Sequence, residues 1–137
     1  MAFEMRQKVL FKHCDPAGIV FFPRYFEMMN DCVEIFFDRE LGHPFEELHK
    51  CGAVPTAQIE TRFTSPSRHG DELVLHLSLT HIGRTSAKYI MTASAGDELR
   101  FETHATLVNV DEEGRPRPWS GTILQKLKDR EEPKNAP

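Results

Sequence analysis

The chain has 137 residues, a length that fits one domain over residues 1–137 with a single apolar core. Hydrophobic residues make up 39% and charged residues 28%, which excludes a chain too polar to fold. The net charge of −4 gives no general attraction to phosphate backbones, so no nucleic-acid partner is expected.

The start, Met1 to Arg6, lacks the apolar core of a signal peptide. The longest apolar run, Gly18 to Phe22, is too short to cross a bilayer, so no membrane association is expected. Cys14, Cys32 and Cys51 are odd in number and form no CxxC pair. Reduced thiols and a cytoplasmic location follow as expectations.

In chain order, a short strand is expected over roughly Met5 to Phe11. It ends at Asp15-Pro16-Ala17-Gly18, where Pro fixes φ and Gly can take positive φ, so the chain turns. Pro23 suits the first position of a helix, where its missing N–H costs nothing. In that helix Glu27, Asn30, Asp31, Glu34 and Asp38 fall on one narrow stripe, while Tyr25, Phe26, Met28, Met29, Cys32, Val33, Ile35, Phe36 and Phe37 cover the rest. A helix so apolar is enclosed by other elements. Gly42 and Pro44 end it, and Pro44 to Gly52 reads as a short second helix.

From Val54 the period changes to two. Strands are expected over Thr56 to Phe63, around Leu73-Leu75-Leu77-Leu79, around Ala87-Tyr89-Met91-Ala93, and from Leu99 to about Val110. Pro66 to Asp71, Gly83-Arg84-Thr85 and Gly96-Asp97 separate them as loops, the last suited to a hairpin. Four strands in meander order imply an antiparallel sheet, which must curl around the helix to cover its apolar surface. The expected fold is therefore α+β, a long central helix wrapped by about five antiparallel strands. Residues from about 119 to 137 would form a last helix capped by Ser120 and a fraying, Pro- and charge-rich tail.

Asp15 stands just upstream of a helix N-terminus, whose free N–H groups can hold negative charge on a carbonyl oxygen. A carboxylate there can act as base or nucleophile in acyl hydrolysis. It can equally form an Asx-turn or cap the helix. His13 and Cys14 are adjacent in an extended run and point opposite ways, so Cys14 reads as a packed thiol. His43, His49 and Cys51 match no metal-ligand spacing, and no metal is expected. His69, His76 and His104 read as structural or solvated. The helix stripe is a solvated or interface-facing side, unless it lines a cleft and supplies a base. Arg84, Thr85 and Ser86 put a cation and hydroxyls between two strands, where they could meet a phosphate. No P-loop or GxGxxG supports a nucleotide site.

The run His13-Cys14-Asp15-Pro16-Ala17-Gly18-Ile19-Val20-Phe21-Phe22-Pro23-Arg24-Tyr25 resembles the signature of the 4-hydroxybenzoyl-CoA thioesterase family, in the hotdog-fold superfamily. The likeness extends through the helix and strand order to about Val110, and the D-P-A-G-I-V segment is its specific part. It implies a hotdog fold and an acyl-CoA thioesterase acting on aromatic, benzoyl-type or short acyl groups, with no cofactor beyond the CoA of the substrate. Asp15 would be the catalytic carboxylate, the Phe22 backbone N–H would polarise the thioester carbonyl, and Gly18 would keep the loop tight. His13, Phe21 and Tyr25 would adjoin the acyl group, although the aromatic residues Phe21, Phe22 and Tyr25 could equally be core. Arg84, Thr85 and Ser86 would adjoin the CoA phosphates, though this turn lacks a fuller basic cluster. A homodimer, or a homotetramer built as a dimer of dimers, is implied. The alternatives are a hydratase or dehydratase of acyl thioesters that pairs His13 with Asp15, and a non-catalytic acyl-CoA-binding module.

Overall fold

In the computed structural model, which describes residues 2–133, the element at the centre is the 18-residue helix α1 (Phe22–Arg39). Its buried residues, Tyr25, Met28, Met29, Cys32, Val33, Phe36 and Phe37, recur at offsets of three and four, the spacing of one helix face. Glu27, Asn30, Asp31, Glu34 and Asp38 form the exposed stripe that their spacing predicts. The helix stops where Gly42 takes a φ of +66°, a conformation open to Gly at little cost. The N–H groups of Gly42 and His43 turn back to the carbonyls of Asp38 and Phe37.

Five strands wrap this helix: β1 (Phe3–Lys8), β2 (Thr56–Phe63), β3 (Glu72–Ile82), β4 (Ser86–Ala95) and β5 (Glu98–Val108). They form one sheet in the order β1-β3-β4-β5-β2, with every neighbouring pair antiparallel. The leucines 73, 75, 77 and 79 of β3 face inward, with Ala87, Tyr89, Met91 and Ala93 of β4 and Phe101, Ala105 and Leu107 of β5. These side chains and those of α1 make one apolar cluster. The β4–β5 hairpin turns through Gly96 and Asp97, and Gly96 supplies the positive φ that its first turn position needs. After β5 comes a last helix among the described residues, α3 (Gly121–Asp129), whose Leu127 reaches the core.

Several expectations from the sequence are corrected. The first strand is Phe3–Lys8 rather than roughly Met5 to Phe11. Val9 leaves the sheet to pair with the loop at Gly70 and Asp71, and Phe11–His13 is a single 3₁₀ turn. Phe22, not Pro23, is the first helical residue; Pro23 takes the second position, where its lack of an N–H is equally harmless. The second helix is only α2 (Phe45–Leu48), with Pro44 extended before it. Ser120 holds the cap position of α3 without a side-chain hydrogen bond. The tail expected to fray falls partly on residues 134–137, outside the described residues.

The main correction concerns the meander. β2 does not pair with β3; it lies at the opposite edge of the sheet, antiparallel to β5, with Phe63 opposite Phe101. The connection from β2 to β3, residues 64–71, is too long for a tight hairpin and carries the chain from one sheet edge toward the other, past the N-terminus of α1. Two elements thus converge there, the loop between β1 and α1 and the loop between β2 and β3.

Candidate active site

The loop between β1 and α1 folds back on itself as a small hairpin. Cys14 pairs with Val20, the Asp15 N–H donates to the Ile19 carbonyl at 3.0 Å, and the Phe21 N–H donates to the His13 carbonyl at 2.9 Å. Asp15 to Gly18 make the turn: the Gly18 N–H donates to the Asp15 carbonyl at 2.9 Å, and Gly18 takes a φ of +81°. Asp15 Oδ1 accepts the Ala17 N–H at 2.9 Å, so the Asx-turn reading of this residue holds. That bond occupies one carboxylate oxygen; Oδ2 has no hydrogen-bond partner among the described residues.

Phe22 follows directly as the first residue of α1, and its N–H is one of the groups that a helix cannot satisfy internally. None of the described residues accepts it. The hairpin sets Asp15 two rungs from Phe21, roughly 7 Å along the strand direction. An apolar cleft of about 520 Å³ opens beside this helix start, lined by Ile19, Val20, Phe22, Tyr25, Phe63, Thr64, Ser65 and Pro66. Its aromatic members touch: Phe63 stacks on Tyr25 with centroids 5.6 Å apart and meets Phe22 edge-on at 6.1 Å. A larger hollow, about 750 Å³, lies between β1 and the polar stripe of α1. Its lining of Glu4, Arg6, Asp31, Glu34 and Arg39 mixes both charges and includes no helix N-terminus, so the smaller, apolar cleft is the better candidate site.

The floor of the loop is set by His13. It is buried, and its Nδ1 accepts the Leu10 N–H at 2.8 Å, which assigns the ring proton to Nε2. Burial, then the nearby Lys12 cation, pushes its pKa below the usual 6.5, so the ring is neutral at physiological pH. No hydrogen bond joins it to Asp15, and the other charges acting on it belong to Glu27, Arg24 and Asp31 of α1. The Cys14 thiol is 3.7 Å from the Leu10 carbonyl, not aimed at His13. Burial raises the Cys32 thiol to about 12, so it is no nucleophile.

The description of the thioesterase-like superfamily matches residues 9–127, which span both converging loops and all of the sheet except β1. The chain belongs to this superfamily. It is 24% identical over 130 residues to a 1,4-dihydroxy-2-naphthoyl-CoA hydrolase of Synechocystis, an alignment covering 88% of this chain and 94% of that protein. Among solved structures, a 1,4-dihydroxy-2-naphthoyl-CoA thioesterase from Synechocystis superposes with a TM-score of 0.82 at 19% identity, over 97% of this chain and all (100%) of that one. A 4-hydroxybenzoyl CoA thioesterase mutant complexed with 4-hydroxybenzoyl CoA superposes with a TM-score of 0.83 at 18% identity, over 92% and 98% of the two chains. The helix wrapped by five antiparallel strands is thus the hotdog fold, and the protein is a thioester hydrolase by family.

Within this thioesterase the residues singled out by sequence divide into two groups. Asp15, Gly18, Phe21, Phe22 and Tyr25 gather at the helix start; of these Phe22 and Tyr25 line the cleft, while Phe21 is exposed beside it. His13 serves the loop from beneath and does not line the cleft. Arg84 and Thr85 lie in the turn after β3 and Ser86 opens β4, at the far end of an 11-residue strand from the 64–71 loop, roughly 30 Å away. One chain does not bring that turn to the cleft. Its carbonyls are engaged elsewhere: those of Arg84 and Ser86 accept from Trp119, and that of Thr85 accepts from Asn109.

Four residues at the site were not visible as such in the sequence: Phe63, Ser67, Asp71 and Arg100. Phe63 read as a strand end, and Ser67 and Asp71 as loop. Arg100 read as an outward residue of an alternating strand, yet it is buried. Ser94 pairs with Leu99 and Ala93 with Phe101, so Arg100 is the extra residue of a β-bulge. Leu99-Arg100-Phe101 keeps the apolar-polar alternation of the strand, so the sequence carries no signal for the bulge.

Among the described residues no His, Cys, Asp and Glu cluster has the shape of a metal site, and no helix is long and apolar enough to cross a membrane.

Proposed function

We propose that this thioesterase hydrolyses an acyl-CoA bearing an aromatic or short acyl group, giving the free acid and CoA. The observation that carries this reading is the apolar, aromatic-lined cleft that begins at the unpartnered Phe22 N–H, one hairpin away from the half-free carboxylate of Asp15. In this reading the acyl group lies against Phe63, Tyr25 and Phe22, and its thioester oxygen points at the Phe22 N–H. That donor strengthens its bond as negative charge builds on the oxygen, so it favours the transition state over the ground state. Asp15 supplies the other half, either attacking the carbonyl carbon to expel CoA thiolate and form an anhydride that water opens, or taking a proton from the attacking water. Neither route needs a cofactor. The named relatives support an aryl group, since their substrates are naphthoyl- and benzoyl-type thioesters.

The working unit in this reading is a homodimer, alone or doubled to a tetramer. β2 is a sheet edge exposed along almost its whole length, and it displays Ile59 and Phe63. An unpaired edge with exposed apolar side chains invites pairing with a second copy. Arg84 can reach CoA phosphates at the cleft only from such a copy.

The test is thiol release from benzoyl-, hydroxybenzoyl-, acetyl- and hexanoyl-CoA, with wild type and Phe63→Ala side by side. The expected result is hydrolysis with the highest kcat/KM on an aryl substrate, and a selective fall for aryl over acetyl in the variant. A burial of this kind is worth about 1–2 kcal/mol, or roughly tenfold. No hydrolysis of any of these thioesters, with CoA still raising the melting temperature, would leave a binding module instead.

A further inference from the structure

We infer that Arg100 is a positioning residue for hydrolysis: bulged inward from β5, it braces the 64–71 loop against α1 and so fixes the Phe22 N–H at the mouth of the cleft. This rests on the function proposed above, and it extends the site to a buried cation that contacts neither Asp15 nor Phe22.

The bulge is what makes the contact possible. An ordinary strand would turn residue 100 to the solvent face; the extra residue re-aims it under the loop. There Nη1 donates to Asp71 Oδ2 at 2.7 Å, to Ser67 Oγ at 3.0 Å and to the Pro66 carbonyl at 3.2 Å. Its own carbonyl accepts the N–H groups of Thr64 at 2.9 Å and Ser65 at 3.4 Å. One residue therefore holds the loop at five points between 64 and 71. Nε lies 2.9 Å from Glu98 Oε1, a charge contact without the alignment of a hydrogen bond. A guanidinium this enclosed is kept for its contacts, because an apolar residue would cost less desolvation.

The brace reaches the helix through Ser67, which is fully buried. Its Oγ also accepts the Tyr25 hydroxyl at 2.8 Å, and its carbonyl accepts the Val20 N–H at 2.8 Å. Val20 lies two residues before Phe22, and Tyr25 lies in the first turn of α1. The two ends of the segment carrying the Phe22 N–H are thus both tied to Ser67, and Ser67 is tied to Arg100. Asp71 closes the frame: its carboxylate also accepts the Arg68 N–H, and its carbonyl accepts the Val9 N–H just before the catalytic loop. A shift of the loop by a fraction of an ångström moves the donor relative to the thioester, which is felt in the chemical step more than in binding.

The test uses Arg100→Met, which keeps the stem and removes the guanidinium, with Ser67→Ala as the second variant should the first fail to fold. Amide exchange at Val20 is measured residue by residue, alongside kcat and KM. The expected result is exchange at Val20 about tenfold faster or more and a fall in kcat of similar size, with KM nearly unchanged. Arg100→Lys is expected to recover part of both. Unchanged exchange at Val20 in the folded variants would overturn the brace itself, whatever their activity. Faster exchange with wild-type kcat would overturn the link to catalysis. Asp15→Asn assayed beside them keeps this separate from the site itself, because a fully active Asp15→Asn enzyme removes the proposed site while leaving the exchange result intact.

Discussion

The Phe21 N–H donates to the His13 carbonyl at 2.9 Å, and with the bond from the Asp15 N–H to the Ile19 carbonyl it closes the loop that carries Asp15 onto the start of α1. It makes the carboxylate and the helix terminus parts of one rigid hairpin. The buried imidazole of His13 in turn holds the chain before it, through Leu10.

The first consequence concerns pH. The folded-state pKa of His13 lies below its ordinary 6.5, so the unfolded chain binds the proton more readily. The stability due to neutral His13 is fully present above pH 6.5 and is lost as pH falls through the folded value. Denaturant unfolding across that window should show declining stability in wild type. His13→Asn, whose side-chain oxygen can still accept from Leu10, should flatten the decline; an unchanged slope would assign it to other groups.

Gly18 tests the turn. A Cβ placed there meets nothing within 4 Å, so Gly18→Ala has no steric clash to relieve. The cost is confined to the backbone, since an L-residue at a φ of +81° is strained by about 1–2 kcal/mol. The variant should fold with a slightly lower melting temperature and lose activity as the turn relaxes. Wild-type kcat with wild-type stability would show that the turn tolerates a side chain.

Phe37 tests the wrapping of the sheet around the helix. It is 1% exposed and packs edge-on to Phe36 and at a tilt to Phe45. Phe37→Ala should destabilise by about 3–5 kcal/mol, read from the shift in denaturation midpoint. A loss under about 1 kcal/mol would mean that the helix is not enclosed as described.

Most of the fold could be read from periodicity, because burial in this protein follows it closely. The stripe from Glu27 to Asp38 marked the one exposed side of α1, and the alternating leucines of β3 gave its inner face. The partner of β2 could not be read this way. Chain order suggests that neighbours pair, and only the unusual length of the 64–71 connection argued otherwise. Asp15 and Gly18 were legible as candidates because turn chemistry is local. The Phe22 N–H came only from the likeness to the thioesterase signature, since local rules put Pro23 first in the helix. Arg100 was not legible, because a bulge reverses the side of the strand on which a residue lies and leaves the composition unchanged. Ser67 was hidden for a similar reason: its two partners, Tyr25 and Arg100, are distant in the chain and meet only when the sheet closes.

The central claim is that Asp15 and the Phe22 N–H act together on a thioester. It is tested most directly by single-turnover thiol release from benzoyl-CoA, comparing wild type with Asp15→Asn. The Asn side chain keeps the oxygen that accepts from Ala17, so the turn should survive and the melting temperature should stay close to wild type. The expected result is a rate lowered roughly 10²–10⁴-fold with benzoyl-CoA still bound. An Asp15→Asn enzyme that releases thiol at the wild-type rate would contradict it.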